Sequence, residues 1–177
     1  GREPARYWIH NNMLTVDGQK MAKSLGNFVT MADLFSGNHD RLEKGFSPQV
    51  VRFFMLQAHY RSVLDFSSEA LVAAEKGLKR LTAGLQTLDS LEHPDLTDAT
   101  VATPLFAGER TGDESEDLES EMLDLCRATY LHMSDDFNTA RVIASLFELI
   151  NRINAIDTGE RSVDELSAEA FLRVRLT

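Results

Sequence analysis

The chain has 177 residues, 43% hydrophobic and 26% charged, with a formal net charge of −10. That is the balance of a soluble globular protein. No apolar run approaches the roughly 20 residues needed to cross a bilayer, so no membrane partner is expected. The single cysteine, Cys126, excludes an internal disulfide.

The charge is unevenly spread. Residues 1–80 hold 11 Lys/Arg against 8 Asp/Glu, whereas residues 81–177 hold 7 against 20. Phosphate binding needs a local basic surface rather than a basic total, so the acidic sum does not exclude a nucleic-acid partner. The start, Gly1-Arg2-Glu3-Pro4, has no apolar core of a signal peptide. Tyr7-Trp8-Ile9 reads as mid-strand, so the chain is expected to be cut from a longer protein.

Arg6 to Val16 is rich in aromatic and β-branched residues and predicts a strand, followed by a turn at Asp17-Gly18. Gln19 to Asn27 lies between Gly18 and Gly26 and predicts a mobile loop. Thr30 caps a short helix, Met31 to Phe35, and residues 36–46 read as loop. Ser47-Pro48 is a strong helix start, and Pro48–Tyr60 is apolar on nearly every side. An extended connection, 61–67, leads to a helix over about 68–91 with Leu71, Leu78, Leu81, Leu85 and Leu88 in heptad-like spacing. Residues 92–117 combine Pro94, Pro104, Gly108 and Gly112 with an acidic run, the pattern of a linker. Helices are expected at about 118–133 and 139–156, with a last one starting near Ser167. Cys126 falls among apolar helical positions and reads as a core residue. The fold class is therefore mainly α. A mixed segment, 1–66, precedes an antiparallel helical bundle, 67–177.

Two lysines three apart on a glycine-flanked loop suit the holding of polyphosphate. Each ammonium is a compact charge on a flexible stem. When ATP is attacked at its α-phosphate, negative charge grows on the departing pyrophosphate, and preplaced cations stabilise it. Lys-x-x-Lys alone is common on protein surfaces. The full string, Gly18-Gln19-Lys20-Met21-Ala22-Lys23-Ser24-Leu25-Gly26-Asn27, resembles the KMSKS signature of class I aminoacyl-tRNA synthetases. Ala22 departs from it, standing where the family usually has Ser.

The flanks resemble one branch of that class. Tyr7-Trp8-Ile9-His10, His59-Tyr60-Arg61-Ser62-Val63-Leu64-Asp65-Phe66-Ser67 and Asp135-Asp136-Phe137-Asn138-Thr139 are similar to stretches of cysteinyl-tRNA synthetases. The resemblance implies the end of a class I catalytic domain with a stem-contact fold, then a helical bundle of the anticodon-binding type. It implies that Lys20 and Lys23 act on ATP (with magnesium) within an ATP loop of Lys20, Met21, Ala22, Lys23 and Ser24. It also implies cysteine and cysteine-accepting tRNA as partners, in a monomeric cytoplasmic enzyme. The family's ATP-binding HIGH motif and zinc ligands are expected outside this chain, so no metal ligands are assigned here and the piece alone is expected to be inactive.

Arg52, Arg61, Lys76, Lys79 and Arg80 are candidate tRNA contacts. Lys76, Lys79 and Arg80 fall at helical i, i+3, i+4, a spacing that equally suits a solvated face. Trp8 is expected to pack at the edge of the catalytic sheet, His59 to make a structural hydrogen bond, and Asp135 and Asp136 to cap the following helix. Two other readings stay open: a cysteine ligase of the mycothiol-forming type, which shares the lysine loop, and a helical RNA-binding module without catalysis.

Overall fold

The computed structural model describes residues 4–96 and 117–177. Most of the expected acidic linker lies outside the described residues. The chain divides into two compact units, Gly1–Leu78 and Lys79–Thr177. The division falls inside a continuous helix rather than at the expected 66/67 boundary. The reason is that Ser68–Ser90 runs unbroken: Leu71 and Ala74 are buried near its start, and Leu88 joins a different core near its end.

In the first unit, β1 (Leu14–Val16) pairs antiparallel with β2 (Gln19–Lys20) and parallel with β3 (Leu64–Phe66). The turn between β1 and β2 has Asp17 and Gly18 at φ 50° and 73°, the left-handed pair that tight hairpins demand. The strand is shorter than Arg6–Val16. Tyr7, Trp8 and Ile9 lie outside the ladder and are exposed, and Trp8 stacks on His10 instead of packing at a sheet edge. Pairing begins where residues 60–64 can supply partners: the Asn12 amide donates to the Tyr60 carbonyl and the Leu64 amide to that of Met13.

The helices of this unit start where their caps predict. Thr30 and Asp33 form a reciprocal capping box on α1 (Met31–Ser36). Ser47 caps α2 (Pro48–Leu56), accepting from the Val50 amide. This helix ends four residues before Tyr60 and is one-sided. Val50, Val51, Phe53 and Phe54 are buried, but Met55 and Leu56 are exposed. Phe54 meets Phe66 edge-on, their centroids 4.8 Å apart, which fastens α2 to β3.

The second unit takes the later part of α3 (Ser68–Ser90), α4 (Leu118–Ser134), α5 (Thr139–Asp157) and α6 (Ala168–Leu176). Its core draws Leu118, Met122 and Cys126 from α4, Leu149, Ile150 and Ile153 from α5, and Phe171 and Val174 from α6. Burial pushes the Cys126 thiol up from its ordinary pKa, as befits an inert core cysteine. The short link from α4 to α5 forces the two helices antiparallel. Asp136 and Phe137 take φ 56° and 54° there, and the amides of Phe137 and Asn138 cap the Met133 and His132 carbonyls. Asn138, not Asp135 or Asp136, caps α5, accepting from the Arg141 amide.

His93 is a structural residue that its position in a linker-like segment hides. It is buried, and its Nδ1 accepts from the Asp95 amide. Nε2 therefore carries the proton and donates to the Leu166 carbonyl at 2.8 Å. Its ring lies 5.6 Å from that of Phe171. These contacts tie the chain after α3 to the start of α6.

Gly84 on α3 sets how closely that helix approaches α5. A Cβ added there would lie 2.5 Å from Cγ2 and 2.6 Å from Cγ1 of the buried Ile150. Glycine to alanine in a helix normally gains about 1 kcal/mol. Here Gly84→Ala is expected to lower stability instead, by about 1 kcal/mol net, because overpacking costs about 1–3 kcal/mol. Urea unfolding checks the sign, and adding Ile150→Ala should restore the ordinary helix preference for alanine over glycine at this position.

Candidate active site

The lysine loop is built on the β1–β2 hairpin. Lys20 sits on β2, where Thr15 pairs with it, and Gln19 pairs with Val16. The chain then turns through a short 3₁₀ segment, Lys23–Leu25, closed by Gly26 at φ 66°. The segment expected from sequence to be a mobile loop thus contains a short turn of regular structure. Two side chains outside Lys20–Ser24 supply it.

The first is Asn27, whose exposure is only 1%. Its Oδ1 accepts from the Ala22 amide at 2.8 Å, and its Nδ2 donates to the Lys20 carbonyl at 3.0 Å. A single amide therefore satisfies the backbone on both sides of Met21. The second is Asp65 on β3. Its Oδ1 accepts from the Thr15 hydroxyl at 2.6 Å and from the Gly18 amide at 2.8 Å. These bonds, the hydroxyl's foremost, hold its carboxyl below the ordinary carboxylate pKa. Asp65 thereby anchors the hairpin turn to the neighbouring strand. Across the turn Asp17 pairs with Arg41, an exposed contact of small energetic weight.

The cations on this braced backbone face solvent. Lys20, Lys23 and Ser24 are exposed, while Met21 and Ala22 are half-buried. Lys23 Nζ lies 5.4 Å from the Phe28 ring centroid, a cation–π distance. Among the described residues neither lysine has a carboxylate partner. Two unneutralised ammonium groups on one short arm can meet two anionic groups of one ligand.

The predicted nucleic-acid residues are not a single strip. Arg52 is exposed on α2. Arg61 donates from Nε to the Tyr60 hydroxyl at 2.9 Å and stacks over that ring. His59 has the structural role expected, accepting at Nδ1 from the Arg61 amide. Lys76 and Lys79 are exposed on α3. Arg80 is engaged within the bundle: it donates to Asn151 Oδ1 at 2.6 Å and covers the Phe147 ring at 5.4 Å. That holds its guanidinium in place, with its charge not neutralised by this neutral amide. No group of three or more His, Cys, Asp and Glu residues able to hold a metal occurs among the described residues, and no described helix is long and apolar enough to cross a membrane.

Asn27 and Asp65 were not singled out by sequence reasoning, although both lie in the stretches quoted above. A signal was present: a short amide directly after a left-handed glycine is placed to fold back on the turn it closes.

Comparison with known proteins adds independent findings. Residues 1–76 match the family described as tRNA synthetases class I (C) catalytic domain, and residues 130–176 match the DALR domain. A cysteine–tRNA ligase of Cytophaga hutchinsonii is 48% identical over 170 residues, covering 96% of this chain and 31% of the relative. That of Porphyromonas gingivalis is 43% identical over 169 residues, covering 96% and 30%. That of a Synechococcus strain is 40% identical, covering 99% of this chain and 34% of the relative. The chain thus spans about 30% of the length of the curated relatives it matches first.

Proposed function

Since the chain belongs to the cysteine–tRNA ligase family of class I synthetases, we propose that it is part of an ATP-dependent enzyme that charges tRNA with cysteine. The carboxylate of cysteine attacks the α-phosphate of ATP, giving cysteinyl-adenylate and pyrophosphate. A hydroxyl of the terminal adenosine of its tRNA then attacks the cysteinyl carbonyl, forming the ester and releasing AMP. Lys20 and Lys23 receive the charge that builds on the departing pyrophosphate. The observation that carries this reading is the pair of unneutralised lysines on a hairpin braced from both ends by Asn27 and Asp65.

Magnesium would arrive as part of the ATP substrate and would offset phosphate charge; no described group of His, Cys, Asp and Glu residues could hold it. Zinc, which would bind the substrate thiol in the whole enzyme, has no fitting donor set in the described part of the chain. Cys126 is buried among apolar side chains, and His93 spends both ring nitrogens on backbone groups. The chain by itself is proposed to be inactive, because the lysines act only on ATP that other groups hold in place. The enzyme is proposed to be a cytoplasmic monomer.

Cysteine-dependent exchange of pyrophosphate into ATP by the full-length protein, followed by charging of tRNA, tests the proposal. Exchange without tRNA charging, but with transfer of cysteine to an amino sugar, would instead establish a mycothiol-type ligase. Exchange by the isolated chain would refute its inactivity.

The helices are proposed to contact tRNA phosphates through Lys76 and Lys79, with Arg52 and Arg61 as further contacts. Replacing Lys76 and Lys79 together by Glu is expected to weaken tRNA binding most at low salt. It should flatten the slope of log affinity against log salt by about one for each phosphate no longer neutralised. An unchanged slope in a filter-binding titration removes both residues from the footprint.

A further inference from the structure

We infer that Asn27 is the positioning residue of the lysine loop: its buried amide fixes the spacing and direction of Lys20 and Lys23 by clamping the backbone between them. The inference deepens the reading of Lys20–Ser24 as an ATP loop and rests on it. Its basis is geometric. Lys20 and Lys23 share an arm with no helix or long ladder to hold it. β2 is two residues long and contributes only Gln19 and Lys20 to the sheet. Beyond Lys20 the remaining ladder-like bond is a long one, from the Met21 amide to the Leu14 carbonyl at 3.3 Å. The 3₁₀ turn that carries Lys23 has no side-chain cap at its own N-terminus, Ala22. Asn27 takes over that task from the far side. Its Oδ1 receives the Ala22 amide as the turn begins, and its Nδ2 reaches the carbonyl of the residue that carries the first ammonium.

Only a side chain that accepts and donates at once can do both. Asparagine is short enough to do so from directly behind the left-handed Gly26. Its burial matters as much as its bonds. With 1% of its surface exposed, the amide is held in place by packing, and losing it removes the partner of both a part-buried amide and a part-buried carbonyl. The loop then adopts other conformations, and the lysines lose their shared aim. Ala22 stands where the family signature has a hydroxyl, so in this chain the loop lacks one side chain able to make local hydrogen bonds. The clamp from Asn27 is correspondingly more important here.

Asn27→Ala and Asn27→Asp separate positioning from bulk structure. Aspartate has the same shape and accepts from the Ala22 amide at any pH. It donates to the Lys20 carbonyl only when protonated. In the full-length ligase, Asn27→Ala is expected to lower kcat for cysteine-dependent pyrophosphate exchange about 10- to 100-fold, the scale on which about 1 Å of misplacement acts, with little change in KM for ATP. Asn27→Asp should be similarly slow at neutral pH and should regain rate relative to Asn27→Ala as pH falls. In parallel, hydrogen exchange at the Ala22 amide is read in this 177-residue chain and its variants. It should be protected in the native sequence and unprotected in Asn27→Ala, with the other β1–β2 amides unchanged.

The clamp is overturned if Asn27→Ala exchanges pyrophosphate at the native rate, if its slower exchange merely follows a fall in Tm, or if the Asp variant shows no recovery in acid. If the unsubstituted full-length protein exchanges no pyrophosphate, the ligase reading fails. Protection of the Ala22 amide then decides the clamp by itself: an amide equally unprotected with and without Asn27 overturns it.

Discussion

On the proposed function, replacing Lys20 or Lys23 by alanine in the full-length protein is expected to slow cysteine-dependent pyrophosphate exchange by about 100- to 1,000-fold each, the range for removing one donor to a developing anion. The loss should fall on kcat more than on KM for ATP. In the proposed reaction the ammonium groups meet charge that appears as the bond to pyrophosphate breaks, and a group that acts mainly in the transition state lowers kcat when removed. The double substitution should cost less than the product of the two singles, because both cations serve one leaving group. Arginine is not expected to rescue either position well. Its planar fork is larger and directional, whereas each lysine offers a point charge on an exposed arm. Transfer of cysteine from preformed adenylate to tRNA should be affected much less, since pyrophosphate has already left. A change in exchange of no more than roughly threefold would mean that the lysines contribute no special transition-state stabilisation.

The lysines could be proposed from the sequence because the pattern that marks them is local: residue type, spacing and flanking glycines are all in one string. What holds them was not legible. Asn27 reaches five and seven residues back, to Ala22 and Lys20, and Asp65 comes from almost fifty residues away. Such contacts depend on strand pairing that no periodicity encodes. Helix starts were legible for the same local reason. Thr30, Ser47 and Ser167 cap the helices they announce, since a cap needs only its own next turn. Helix ends and burial were not. An apolar run at 48–60 suggested burial all round, but the helix stops at Leu56 and leaves Met55 and Leu56 exposed. The Tyr7–Ile9 stretch has strand-like residues without a ladder partner. β-propensity expresses fit to a half-buried sheet rather than a property of the segment alone. Arg80 shows the same limit on the functional side. Helical spacing places it with Lys76 and Lys79, and only the tertiary structure shows that its guanidinium also bonds Asn151 and covers the Phe147 ring.

Phe171→Ala should be the most damaging single truncation in the helical unit. Phe171 is among the largest fully buried side chains, at 0% exposure. It closes the core formed by α4 and α5 and lies against the ring of His93. Truncating a buried phenylalanine costs about 3–5 kcal/mol, a large part of the roughly 5–15 kcal/mol that holds a typical domain folded. The void would also undercut His93, whose bonds to Leu166 and Asp95 need that ring position. Loss of helical circular dichroism at a much lower urea concentration is therefore expected. Leu85→Ala is the informative contrast. Leu85 occupies the same heptad-like series as Leu81 and Leu88, yet 51% of it is exposed, so its loss should change stability by no more than about 0.5 kcal/mol. If Leu85→Ala proved as costly as Phe171→Ala, the series on α3 would be packing as the sequence pattern suggests, and the face of that helix turned to the core would have to be redrawn. Otherwise Gly84 explains why the pattern misleads. The helix presses against Ile150 through the glycine, and Leu85, about 100° further round the helix, is left exposed.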